Sequence, residues 1–268
     1  MNTITICTFL AALLYVGAGT AIIAAMKGKE GRASSLLRAP VAVALLLHAY
    51  AIEGEMFAPQ AVHFGFGLAV SVMFFFAALI LLFESWVHRL HGQFGIILVG
   101  AAFGALFPTL FPGPALNAAE WTPAFRLHLL LAIAAYSFMT IALVHAVLMA
   151  LQNRHLKHPT TAETSFLDSM PGLVVMERIF FRIVFIGFLF LTAVLVTGAF
   201  ATKETYGVFI HLDHKMILTW IAWALFGVLL LGRRIAGWRA KTALRWFWAG
   251  FAALAVAYLG YSFILEVF

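Results

Sequence analysis

Charge is what this sequence has least of. Only 10% of its 268 residues are Asp, Glu, Lys or Arg, while 64% are hydrophobic and the mean hydropathy is +1.01. A soluble domain averages about 25% charged residues. A water-soluble fold of this length could not cover its surface with so few, so the chain reads as a polytopic membrane protein without a large soluble domain. Cysteine is almost absent as well. Cys7 stands alone, which excludes an intramolecular disulfide and any CxxC motif, and it reads as a small core residue of the first apolar segment. There is no Walker lysine loop, no HExxH and no GxSxG, so no catalytic machinery is visible and turnover is not expected. Ionisable groups inside the apolar runs are few, with Glu84 near the end of the third. A coupled transporter normally carries charge or broken helices at mid-membrane. Gly65, Gly67, Gly100, Gly104 and Gly187 suit close helix packing better than gating. No internal repeat and no low-complexity tract stands out.

What the sequence has in quantity is long apolar runs. A span needs roughly 20 apolar residues, and eight are read at about 4–26, 36–57, 64–87, 92–110, 124–151, 178–201, 214–232 and 245–266. The first has no basic region before it, is too long for the apolar core of a signal peptide and has no clear cleavage site after it. It is kept as a span. The predicted fold is therefore all-α, a single transmembrane domain over 1–268.

The connectors alternate in charge. Fourteen of the seventeen Lys and Arg fall in one alternate set, around Lys27–Arg38, Arg89, Arg154–Arg182 and Arg233–Arg245. The other set holds only Arg126, Lys203 and Lys215. This is a positive-inside pattern. It accounts for the +6 net charge without nucleic acid as a partner, and it puts both termini on the outer, periplasmic side of a bacterial inner membrane. The outer connector 111–123 carries Pro112, Gly113, Pro114 and Pro123 and reads as a stiff turn. The inner connector 152–177 reads as a loop or a short interfacial helix. Trp121 sits at the outer boundary and Trp238, Trp246 and Trp248 at the inner one, where amphipathic rings anchor.

Five of the ten histidines lie where apolar runs begin or end on the outer side: His48, His63, His128, His211 and His214. An imidazole at the hydrocarbon boundary needs a partner and is the commonest protein ligand for metals and heme iron. His48 can be hydrogen-bonded to a neighbouring helix or to Glu53, or it can be a ligand. His128 opens the fifth span beside Arg126, whose planar fork suits a carboxylate. His211 and His214 flank Asp213, a plausible N-cap of the seventh span, and the H-x-D-H group can also hold a metal. His63 reads as interfacial. His145 lies 17 residues after His128, roughly 25 Å down a helix, near the inner side. His88, His91, His155 and His158 read as solvated inner-loop residues. Neither His48–His63 nor His128–His145 gives the ligand spacing of two hemes stacked across a membrane. One heme near the outer face remains compatible with two imidazoles from different spans.

Several stretches then resemble the cytochrome c assembly protein family, the heme-handling CcsA- and CcmC-like membrane proteins. They are His128 to Tyr136-Ser-Phe, His48-Ala-Tyr-Ala-Ile-Glu53, and Met176-Glu177-Arg178 leading to Gly187 and Thr197-Gly198. His214-Lys215 followed by Thr219-Trp220 to Trp223, and Gly232-Arg233-Arg234 with Gly237-Trp238-Arg239, complete the set. The order covers nearly the whole chain and is most similar to the HemX/YpjD-like branch. The resemblance implies an eight-helix bundle whose outer histidines bind heme for attachment to cytochrome c. It matches His128 to the family's first outer histidine and places His214 after a tryptophan-rich loop. Here that loop, 203–213, holds no tryptophan.

The expectation is a multi-pass inner-membrane accessory protein of heme handling or cytochrome c biogenesis. It would bind heme b in an outward pocket of His48, His128 and His214, with His128 and His214 on the iron and Arg126 on a propionate. Its surroundings would be the lipid bilayer, heme and cytochrome c assembly components. The alternatives are a heme-free membrane scaffold or regulator of the same fold, and a small-solute or metal transporter using the histidine–carboxylate cluster.

Overall fold

The computed structural model of the chain describes residues 2–27, 37–58, 61–63, 65–87, 92–116, 121–157 and 172–257. Among these residues there are eight α-helices: α1 Thr3–Lys27, α2 Arg38–Met56, α3 Phe66–Val87, α4 Gly92–Leu110, α5 Pro123–Lys157, α6 Leu173–Tyr206, α7 His214–Ala236 and α8 Ala240–Ala255. The predicted all-helical architecture is what forms. Six of the helices, α1, α2, α3, α5, α6 and α7, are long and apolar enough to cross a membrane. The apolar part of α4, Phe94–Leu110, is shorter. The end of the eighth predicted span, 258–266, lies outside the described residues, as does most of the connector 152–177.

Two helices overrun the predicted spans. α5 has 35 residues and α6 has 34, roughly 50 Å each against a hydrocarbon core of about 30 Å. The surplus in α5 is its last turn, with Arg154, His155 and Lys157. In α6 it is Leu173 to Glu177 at one end and Thr202 to Tyr206 at the other.

Three short strands also form, which the apolar pattern does not announce. They are β1 Phe57–Ala58, β2 Ala61–His63 and β3 Ala115–Leu116. They pair antiparallel in the order β1-β2-β3, with Phe57 opposite Val62, and Val62 opposite Leu116. The connector predicted as a stiff turn thus contributes a strand. Pro112 and Pro114 bar a helix and hold the backbone extended, and its free peptide groups pair with β2.

The chain divides into two compact units, Met1–Leu116 with Leu151–Gly172, and Asn117–Ala150 with Leu173–Phe268. In the first, α1 packs on α2 and α4, and α3 on α2 and α4. The α1–α4 contact is backbone on backbone. A Cβ placed on Gly19 would stand 2.7 Å from the Gly95 carbonyl oxygen, and one on Gly95 would stand 2.6 Å from that of Gly19. Small residues allow this approach where lipid gives helices no hydrophobic reason to associate. Gly100 and Gly104 lie under the Phe74 ring, in the packing role predicted for them.

In the second unit, α7 and α8 form a hairpin turned by Gly237 at φ 63° and ψ 30°, a left-handed conformation that glycine adopts without strain. The Trp238 N–H donates to the Gly232 carbonyl at 3.2 Å. Arg239, at the N-cap of α8, makes no side-chain capping bond. The buried Glu177 of α6 replaces it: its Oε1 accepts the Ala240 N–H at 2.7 Å. Arg233 donates to the Trp238 carbonyl at 2.8 Å and lies 3.6 Å from Glu177 Oε2. Phe180, Phe226 and Phe247 fill the core beside this joint.

Candidate heme-handling pocket

Burial selects two of the predicted histidines, and their partners differ in kind. His48, in the first unit, is 1% exposed. Its Nδ1 lies 3.3 Å from the Tyr15 hydroxyl of α1 and its Nε2 lies 2.8 Å from the Ser71 hydroxyl of α3. Of the two structural partners predicted for it, neighbouring helices and Glu53, the helices are the ones that bond it. A hydroxyl both donates and accepts, so either neutral tautomer is satisfied. Tyr15 and Phe75 meet the ring edge-on.

His128, in the second unit, is half-buried. Its Nδ1 lies 3.1 Å from the Val194 carbonyl and 3.4 Å from Thr197 Oγ1. A carbonyl only accepts, and the Thr197 hydroxyl already donates to Ala193 O at 2.8 Å. Nδ1 must therefore carry the proton. In the neutral ring, Nε2 is then the nitrogen with the free lone pair. This is the tautomer and the carbonyl anchor that metal-bound histidines use. Gly198 makes the ring's seat: a Cβ there would stand 3.1 Å from His128 Cε1.

His128 lines a partly open cavity of about 340 Å³ bordered by α5, α6, α7 and the end of α8. Phe125, Ala132, Ala135, Leu191, Val194 and Leu195 make its wall apolar. The start of α7 adds Asp213, Lys215, Met216, Thr219 and Trp220, and the end of α6 adds Thr202, Thr205 and Tyr206. The wall's hydroxyls are satisfied internally. Thr202, Thr205 and Thr219 donate to carbonyls four residues back, and Tyr136 donates to Leu254 O at 2.8 Å. Such a chamber, apolar with a few aimed polar groups, is a typical small-molecule site, toward the small end of the usual roughly 300–1,000 Å³.

The other predicted site residues fall elsewhere. His214 opens α7 but is exposed and is not part of the cavity wall. Arg126 is exposed and also outside the wall, whereas Lys215 is half-buried within it. Asp213 is the N-cap expected of it, accepting the Met216 N–H at 2.7 Å. His211 is exposed and stacks on Tyr206 with centroids 4.9 Å apart. His145 is buried, with Nδ1 3.1 Å from Ile141 O. His63 lies in β2 by its backbone, and its side chain is outside the described residues, as are His88, His91 and His158. No group of three or more His, Cys, Asp or Glu side chains among the described residues is placed to hold a metal ion. Lys215 and Met216 were missed in the sequence. The signal was there: both share a helical face with Thr219 and Trp220, one turn on.

The fold and this chamber define a multi-span helical membrane protein with an imidazole-bearing pocket at one end of its second unit. The chain belongs to the cytochrome C assembly protein family, whose model matches residues 5–268. It is 30% identical to the inner membrane protein YpjD of Escherichia coli K12 over 172 residues, 64% of each chain. It is 36% identical to the cytochrome c biogenesis protein CcsA of Heterosigma akashiwo over 97 residues, 36% of this chain and 30% of that one. With CcsA of Prochlorococcus marinus the identity is 28% over 89 residues, 33% and 28% of the two chains. The matched stretches thus cover less than two thirds of these relatives.

Proposed function

We propose that the protein is an accessory of heme handling in cytochrome c biogenesis that binds heme in the chamber of the second unit, with His128 as an iron ligand. The observation that carries this reading is the Val194 carbonyl bound to His128 Nδ1, which leaves Nε2 with the free lone pair on a residue that lines a largely apolar cavity. The residues present fit the group. Aromatic and aliphatic walls suit a macrocycle, and Lys215 suits a propionate better than the exposed Arg126. A heme held there would supply an iron centre that the chamber's side chains could ligate. His48, bonded at both nitrogens inside the first unit, is read as a structural residue. The family match runs through both units, which supports one domain over 1–268. The relation to an inner membrane protein of Escherichia coli and the one-sided basic connectors support a multi-pass protein of the bacterial inner membrane with both termini outward.

The test is to add hemin to the protein purified in mild detergent and record absorption in both redox states. A Soret band that saturates with heme, and that His128→Ala removes while His48→Gln keeps it, is the expected result. No band in the wild type in either state would overturn the reading in favour of a heme-free scaffold.

A further inference from the structure

Besides the His128 imidazole, the cavity wall holds one thioether, that of Met216. α7 advances by about 100° per residue. Lys215, Met216, Thr219 and Trp220 all line the chamber, at the spacing i, i+1, i+4, i+5 that keeps them on one face. His214 lies two residues before Met216, about 200° around the helix, and is exposed together with Ile217 and Ile221. The histidine of this segment is thus turned to the outer surface of α7, and a thioether occupies the chamber side.

Met216 is also held in place. Its N–H donates to Asp213 Oδ1 at 2.7 Å, which fixes the first turn of α7. Most of the wall's other polar side chains are poor candidates for iron; Tyr206 is largely exposed and stacks on His211. The hydroxyls of Thr202, Thr205, Thr219 and Tyr136 are committed to carbonyls. Asp213 Oδ1 is committed to the cap. Lys215 is a cation. A thioether needs no hydrogen-bond partner, cannot be protonated and binds iron as a soft ligand.

The geometry points to a histidine–methionine heme site, His128 and Met216 from one chamber, in place of a histidine pair that includes His214. This rests on the heme reading above and sharpens it. A methionine ligand raises the iron's reduction potential relative to two imidazoles, so the bound heme would favour the ferrous state.

The experiment compares hemin-loaded wild type, Met216→Leu, Met216→His and His214→Ala by absorption, magnetic circular dichroism and redox titration. The expected wild-type spectrum is low-spin, with the ferric thioether charge-transfer band at the red end. Met216→Leu should lose that band yet keep a Soret band. Met216→His should stay low-spin, lose the band and shift to a lower potential, which keeps the test decisive if the leucine variant folds poorly. His214→Ala should match the wild type. A wild-type spectrum without the thioether band, or one that His214→Ala changes to high-spin, overturns the methionine assignment while heme binding stands. A wild type with no Soret band overturns both.

Discussion

His48 and His128 are the same side chain put to opposite uses by what surrounds them. His48 has a hydroxyl on each nitrogen and nothing left to offer. His128 has a carbonyl on one nitrogen and a chamber before the ring. Removing the Tyr15 hydroxyl leaves a buried imidazole nitrogen unsatisfied, which typically costs about 1–3 kcal/mol. Tyr15→Phe should therefore lower the unfolding midpoint in detergent and leave any heme spectrum unchanged. Gly198→Ala should act the other way. Its methyl would stand 3.1 Å from His128 Cε1 and displace the ring. A roughly tenfold loss of heme affinity is expected, about 1.4 kcal/mol, with little change in stability; heme titration measures it.

At the scale of elements, two joints hold the helices. One is the Gly19–Gly95 contact between α1 and α4. Gly95→Leu must push these backbones apart. Overpacking of this kind costs about 1–3 kcal/mol or more, so a lower detergent-unfolding midpoint and poor accumulation in the membrane are expected. The other joint is Glu177, which caps α8 from a different helix. Glu177→Ala leaves the Ala240 N–H without its acceptor and Arg233 without its carboxylate. Cleavage by added protease at the Gly237 turn should become faster, while Asp213→Ala, the loss of an ordinary N-cap, costs only about 1 kcal/mol. Some of the stretches that carry the family resemblance meet in these contacts. Glu177, Arg233 and Trp238 belong to one joint, and Tyr136 holds the end of α8 through the Leu254 carbonyl.

For the whole molecule the governing quantity is where the few charges lie. Arg154 and Lys157 end α5, Arg178 and Arg182 open α6, and Arg233 and Arg234 end α7. Between Arg182 and Lys203 the helix rises about 30 Å, the thickness of a hydrocarbon core. The positive-inside rule predicts an orientation with the chamber outward. In a Cys7→Ser background, a cysteine replacing Phe209 should react with an impermeant thiol reagent added to spheroplasts. One replacing Lys241 should react only after the membrane is opened; the reverse pattern would invert the topology.

Residue order alone determined that the chain is helical and membrane-spanning, that α7 starts at His214 behind an Asp213 cap, and that Gly100 and Gly104 pack helices, though not that Gly19 and Gly95 do. These follow from local quantities: the length of apolar runs, the distribution of charge and the capping chemistry of one side chain. It could not separate His48 from His128, because both sit at the end of an apolar run. The difference is a carbonyl 66 residues away against two hydroxyls from other helices. It could not show that Glu177 would cap a helix 63 residues later, nor that β3 would pair with β2. The turn of α7 that places Met216 in the chamber wall and leaves His214 out of it also had to be read from the packed structure. Helical spacing says which residues share a face, and only tertiary packing says what that face meets.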